Sequence, residues 1–202
     1  MRNLFILLFL SFSLISKSQD FKRLENETLQ NFAKRMKPIP NSEISGEVLE
    51  VKNWNEHKNV IFVFYLLRYD RKDWVETFLD GYVFVPLGNN LYRKIFIDRY
   101  AQEGADAEIW SVFFANADKD GQKELGILCS WDQSMHYGIS GRLYQTYFYD
   151  EILGKQKSLK PITSFEEIFP LEFDGTNDGD EKSVAKYKTA EQIKKKLKKL
   201  GY

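Results

Sequence analysis

Ile109-Trp-Ser-Val-Phe-Phe-Ala115 and Leu125-Gly-Ile-Leu-Cys-Ser-Trp131 are two apolar runs joined by Asn116-Ala-Asp-Lys-Asp-Gly-Gln-Lys-Glu124. Aromatic and β-branched side chains suit a pleated, half-buried surface, so both runs are expected to be strands. The polar connector with Gly121 is the turn between them. Oxygen-bearing side chains fall at its positions 1, 3 and 5 (Asn116, Asp118, Asp120), and Glu124 stands at position 9. Ca2+ takes roughly six to eight oxygens at about 2.3–2.6 Å, and alternate residues of a tight loop can aim theirs at one point. The expected ligands are the side chains of Asn116, Asp118, Asp120 and Glu124, with the Gln122 carbonyl and water completing the shell. An EF-hand would need Glu at position 12, where Ile127 stands.

The spacing resembles the calcium-binding β-hairpin loops of FG-GAP and VCBS repeat proteins, of the form D-x-D-x-D-G-x-x-D between two strands. The resemblance covers Val112 to Leu128 alone, and Asn116 and Glu124 stand where the pattern has Asp. It occurs once and lacks a Phe-Gly…Gly-Ala-Pro signature, so it implies neither a propeller nor adhesion. It implies one Ca2+ that stiffens a hairpin. Three carboxylates in a short loop suit the weak class of extracellular sites, roughly 10⁻⁴–10⁻³ M.

Upstream of this hairpin, strand signals follow one another. Ile44–Trp54 alternates in part, and Val60–Leu67 is a continuous apolar run, the pattern of a strand buried on both faces. Asn55–Asn59 reads as the loop between them. Asp80-Gly81 separates Trp74–Leu79 from Tyr82–Val85 as a hairpin turn, and Gly88-Asn89-Asn90 turns the chain into Leu91–Ile97. With the two central strands and Arg142–Tyr149, this predicts about eight strands with short turns. The expected class is α+β, mainly β: an antiparallel meander or barrel-like sheet with an N-terminal helix and short C-terminal helices. The N-terminal helix is expected over Asp20–Met36, with Phe21, Leu24, Leu29, Phe32 and Met36 on one stripe.

The ends of the chain carry different signals. Arg2, the apolar run Leu4–Leu10 and the small residues Ser16 and Ser18 read as the three regions of a secretory leader over 1–18. The apolar run is shorter than the roughly 20 residues a membrane span needs. Residues 19–202 are then one β-rich domain, periplasmic or extracellular, with no transmembrane segment after leader removal. Beyond Asp150, Gly154–Thr163 reads as a polar linker, and about 164–202 as a charged helical tail. Ser164-Phe-Glu-Glu167 and Thr189-Ala-Glu-Gln192 are capping boxes, and Asp174–Asp180 reads as a solvated acidic loop. The lysine-rich final helix, with Ile193, Leu197 and Leu200, is expected to dock on the sheet. Weak contact with an anionic membrane surface is the alternative use of its lysines.

Charge and chemistry narrow the function. The chain has 29 basic and 29 acidic residues, and no basic stripe with interleaved aromatics points to nucleic acid. Cys129 is the single cysteine, so no intramolecular disulfide forms. It is expected on an apolar face, where a thiol is inert. Two histidines without metal-ligand spacing do not make a catalytic zinc site. The ten-residue connection Asp132–Gly141 is long for a hairpin, and longer loops are often functional. Trp131, His136 and Tyr137 are therefore expected to contact an envelope glycan or a protein partner. The first reading is a non-enzymatic binding protein. An extracytoplasmic inhibitor or immunity-type protein and a carboxylate-dependent hydrolase are the alternatives.

Overall fold

The computed structural model describes residues 20–134, 138–177 and 180–202; the leader expected at 1–18 lies outside them. The described residues form two antiparallel five-stranded sheets. The first contains β1 (Asp20–Lys22), β2 (Glu43–Trp54), β3 (His57–Asp70), β4 (Val75–Gly88) and β5 (Leu91–Ala101), in the order β1-β5-β4-β3-β2. The second contains β6 (Glu108–Ala115), β7 (Glu124–Asp132), β8 (Ser140–Tyr149), β9 (Glu172–Thr176) and β10 (Lys182–Ser183), in the order β10-β9-β8-β7-β6. Two α-helices accompany them, α1 (Leu29–Arg35) and α2 (Ala190–Lys199). The protein is mainly β, as expected, but two open sheets replace the single meander or barrel. Among the described residues, no helix is long and apolar enough to cross a membrane.

Strand β3 shows why the sheets stack. Side chains alternate across a strand, so Val60, Phe62 and Phe64 face one way and Ile61, Val63, Tyr65 and Leu67 the other. All seven are buried. The first set packs with Leu79, Val83, Ile95 and Ile97 against Leu125, Ile127, Cys129 and Trp131 of β7, forming the inter-sheet core. The second set packs under Phe32, Ala33 and Met36 of α1. On the far side of the second sheet, Ile193 and Leu197 of α2 join Phe113, Leu128, Phe148, Phe165 and Phe169. The result is four layers, helix on sheet on sheet on helix. Of the three apolar residues expected to dock, Ile193 and Leu197 are buried in this packing and Leu200 is exposed.

Several local expectations are corrected. Asp80-Gly81 is no turn: β4 runs through it, with Asp80 paired to Tyr65 on one side and Arg99 on the other. A Cβ on Gly81 would stand 2.9 Å from Cε1 of Phe64, so glycine is there to admit a ring. The turns that do form use asparagine: Asn55-Glu56 joins β2 to β3, and Asn89 and Asn90 both take positive φ. The N-terminal helix begins only at Leu29, where the Thr28 hydroxyl accepts from the Asn31 N–H at 3.2 Å. Phe21 lies instead in β1, opposite Tyr92.

The tail is corrected as well. Ser164 caps nothing; Thr163–Phe165 is a 3-10 turn without a side-chain cap, although Phe165 and Phe169 pack as expected. The Thr189 cap is present, its hydroxyl accepting from the Gln192 N–H at 3.2 Å. Asp174 lies in β9, opposite Arg142, and not in a solvated loop. Residues 150–162 form a strap between the sheets. The Phe96 N–H donates to the Lys157 carbonyl at 2.9 Å, and the Leu159 N–H donates to the Phe96 carbonyl at 2.8 Å. The Ile162 N–H returns to Phe148 in β8 at 2.9 Å.

Candidate metal centre

The edge strands β2 and β6 run beside each other along one side of the sandwich, and the seam between them is closed at one end. There Trp54 stacks on Phe114 with ring centroids 5.3 Å apart. The Trp54 Nε1–H donates to the Lys123 carbonyl at 2.6 Å, and Asn55 bonds both the carbonyl and the N–H of Lys123. These contacts hold the 116–124 loop against the β2–β3 turn.

Within the loop, each side-chain acceptor expected from the sequence is placed by a backbone donor. Asn116 Oδ1 accepts from the Lys119 N–H at 2.9 Å, Asp118 Oδ1 from Asp120 at 3.1 Å, and Asp120 Oδ1 from Gln122 at 2.7 Å. Lys119 and Gly121 take the positive φ that this winding requires. Glu124, the first residue of β7, is fully buried. One of its oxygens accepts the Ala117 N–H. The other, Oε1, has no hydrogen-bond partner. Burial raises the pKa of this carboxyl to about 7; the Ala117 N–H opposes the shift, and the charges of Asp118 and Asp120 add to it.

The structure brings Asp118, Asp120 and Glu124 together: one carboxylate oxygen from each lies within 4.8 Å of the others. Asn116 and Gln122 are in the same loop, and Gln122 also borders a small pocket of ≈ 170 Å³ with Asn55, His57 and Glu151. Two acids that the sequence reading missed lie beside Asp118, in a group separate from Asp120 and Glu124. Asp150 and Glu151 place carboxylate oxygens within 4.8 Å of Asp118 and of each other. The pairing of β7 with β8 accounts for this, since Leu125 stands opposite Tyr149 and so Asp150 emerges beside Glu124. Only the strand register carries that signal.

The oxygen-only donor set fits a hard cation such as Ca2+. The unpaired, buried Glu124 Oε1 supports the fit, because buried polar atoms are ordinarily bonded. The residues that would hold the ion are Asp118, Asp120 and Glu124, with Asn116 and the Gln122 carbonyl from the same loop.

At its other end the seam opens. β2 carries an irregularity between Ser45 and Leu49, with Gly46 at φ +70°, and β6 bulges between Ile109 and Ser111. The two bulges splay the edges around a cleft of ≈ 620 Å³ lined by Ser45, Glu47, Leu49, Glu108, Trp110 and Ser111, among others. Trp110 is 50% exposed. It is braced by Tyr144, with centroids 5.9 Å apart, and by the Arg142 guanidinium 5.1 Å from its ring. Arg142 is in turn held by Glu108 at 2.5 Å.

The contact residues expected from the sequence fare differently. Trp131 is 1% exposed and its Nε1–H donates to the Ala101 carbonyl at 2.9 Å, so it is a core residue and not a contact. His136 and Tyr137 lie outside the described residues. Cys129 is buried between the sheets, and burial pushes its thiol pKa far up. Among the described residues the exposed tryptophans are Trp74 and Trp110, both expected only as strand residues, and Trp110 is the one that lines the cleft. Comparison with protein-family profiles, with curated proteins and with solved structures returned no match.

Proposed function

We propose that this chain is an exported, non-enzymatic binding module whose sandwich is stapled by Ca2+ and whose partner seat is the cleft around Trp110. The metal part rests on one observation: a fully buried Glu124 with an unpartnered oxygen among Asp118 and Asp120. An apo loop of this kind crowds carboxylates, and a bound cation offsets their repulsion. Export rests on the Arg2, Leu4–Leu10 and Ser16–Ser18 pattern. The cleft supports the binding part, because a half-exposed Trp flanked by Arg and Tyr is the composition of interface hot spots. Its Ser and Glu oxygens suit either an envelope glycan or a protein partner.

Thermal melting tests the metal. Calcium at ten times Kd stabilises by about 1.4 kcal/mol, a shift of a few degrees for a protein of this size. Wild type is expected to shift in calcium and less in magnesium, which demands tighter octahedral geometry. Asp118→Ala/Asp120→Ala is expected not to shift. Equal shifts in both proteins, or in neither, would make the loop an ordinary acidic turn. Sedimentation with cell-wall polysaccharide and capture of envelope protein, each compared with Trp110→Ala, test the seat. Unchanged recovery by the variant in both arms would remove the cleft from this reading.

A further inference from the structure

We propose that the occupant of the Trp110 cleft is a basic, extended segment of a partner protein, its arginines set against the carboxylates and its apolar side chains on the floor. This rests on the cleft reading above and names the chemistry of the partner. The cleft of ≈ 620 Å³ lies between β2 and β6, each an outer strand of its sheet. Its floor is apolar, formed by Leu49, Phe64, Ile109 and Val112. Irregularities in both strands spoil them as flat templates for a pairing strand. Recognition here therefore falls to side chains.

Charge selects the class of partner. The two edge strands carry Glu43, Glu47, Glu50 and Glu108, all exposed, against Lys52 alone. Glu47 and Glu108 line the cleft without a lysine or arginine beside them in its wall. Past Glu108 the surface continues into a second hollow, lined by Asp106 and Asp132. Among the described residues, two guanidiniums answer the four carboxylates of the two hollows: Arg142 reaches Glu108 and Asp132, and Arg68 reaches Asp106. Glu47 forms no ion pair among the described residues. The surplus is negative, and a neutral glycan leaves it uncompensated.

Trp110 makes arginine the preferred cation. Its ring is half exposed, and the Arg142 guanidinium lies 5.1 Å from it while bonding Glu108. The protein thus already sets a planar guanidinium between an indole and a carboxylate. Guanidinium stacks on aromatic rings and forks onto carboxylates, whereas the lysine ammonium is a compact, strongly hydrated point charge. An arginine from outside would repeat this arrangement on the exposed part of the ring, with Glu47 across the cleft as its acid. Exposed charge pairs are screened by salt, so the binding is salt-sensitive.

The probes are capped heptapeptides alternating arginine with valine, or glutamate with valine, and a chitin tetrasaccharide, each titrated calorimetrically into the whole protein. Wild type is expected to bind the arginine peptide, more weakly at high salt, and not the glutamate peptide. Glu47→Gln is expected to weaken binding by about threefold and Glu47→Gln/Glu108→Gln by about tenfold, both with unchanged circular dichroism. Trp110→Ala is expected to lose about tenfold or more. Glu166→Gln/Glu167→Gln, which changes acids outside the cleft, is expected to keep wild-type affinity. Equal affinity for both peptides, or equal losses in the two double variants, would overturn the inference as unselective attraction. Binding of the tetrasaccharide alone, lost in Trp110→Ala, would overturn it while leaving the cleft as the partner seat. A wild-type dimer that Glu47→Gln/Glu108→Gln dissociates, seen by sedimentation, would assign the cleft to a second copy of this chain instead. Binding of no probe would also overturn it, and unchanged recovery by Trp110→Ala in the sedimentation and capture tests above would remove the cleft itself.

Discussion

Asp80 and Arg99 stand opposite one another on β4 and β5 and are joined by two parallel hydrogen bonds, Nε to Oδ1 at 2.7 Å and Nη2 to Oδ2 at 2.8 Å. The Asp80 side chain is 3% exposed and that of Arg99 44%, and the guanidinium also lies 4.9 Å from the Phe78 ring. This planar pair, with a glycine beside it, carries an Asp-Gly dipeptide through the middle of a sheet. Bidentate geometry of this kind is among the stronger side-chain interactions.

Replacing Arg99 by Leu leaves the Asp80 carboxylate buried without its partner. The expected loss is about 2 kcal/mol, read from urea denaturation. Gly81→Ala brings a methyl against the Phe64 ring and is expected to destabilise by about 1–3 kcal/mol. Changes near zero in both variants would mean that the 80–81 step is a solvent-exposed turn after all.

Lys94 supplies the pH dependence. Its ammonium lies 4.1 Å from the Tyr82 ring centre and donates to the Met36 carbonyl at 2.8 Å, at the end of α1. Burial lowers its pKa from 10.5 to about 8, with the Asp80 charge opposing the shift. Between these values the unfolded chain keeps the proton and the folded chain sheds it, so stability rises with pH. The contribution is fully present above the unfolded value and is lost as pH falls through the folded one. The stability of wild type relative to Lys94→Met is therefore expected to rise from about pH 8 to about pH 10.5. Tyr65 and Tyr82, whose hydroxyl pKa values burial raises, act in the opposite sense above pH 10. A flat difference across that window would show Lys94 to be solvated.

Leu159 tests the strap. The residue is 3% exposed in the inter-sheet core, although its neighbours in sequence are polar. Leu159→Ala is expected to cost about 2–4 kcal/mol, by the usual range for buried leucine, measured by chemical denaturation. A cost below about 0.5 kcal/mol, the usual size for surface substitutions, would return 154–163 to the status of a linker.

Local periodicity was enough for some of this. Val60–Leu67 reads as a strand buried on both faces because every one of its residues is apolar, and the sandwich buries both faces. The Thr189 cap and the apolar side of α2 are equally local, resting on contacts within one turn of chain. The 116–124 loop was legible for the same reason, since its oxygens alternate within nine residues. Where the reading went wrong, a distant partner had decided the matter. Asp80-Gly81 looks like a turn until Arg99 neutralises the acid and Phe64 takes the space over the glycine. Trp131 looks like a contact until the first sheet closes over it and the Ala101 carbonyl accepts its N–H.

The sequence by itself determined that this is a mainly β chain with an acidic hairpin loop, because strand alternation, turn chemistry and loop spacing depend on neighbours along the chain. Only the tertiary structure decided that the strands divide into two sheets and that Asp150 and Glu151 reach Asp118. It also decided that Trp110 is exposed at the cleft while Trp54 and Trp131 are buried. Those outcomes follow from register and stacking, which bring together residues roughly thirty or more positions apart and leave no periodic mark in the sequence.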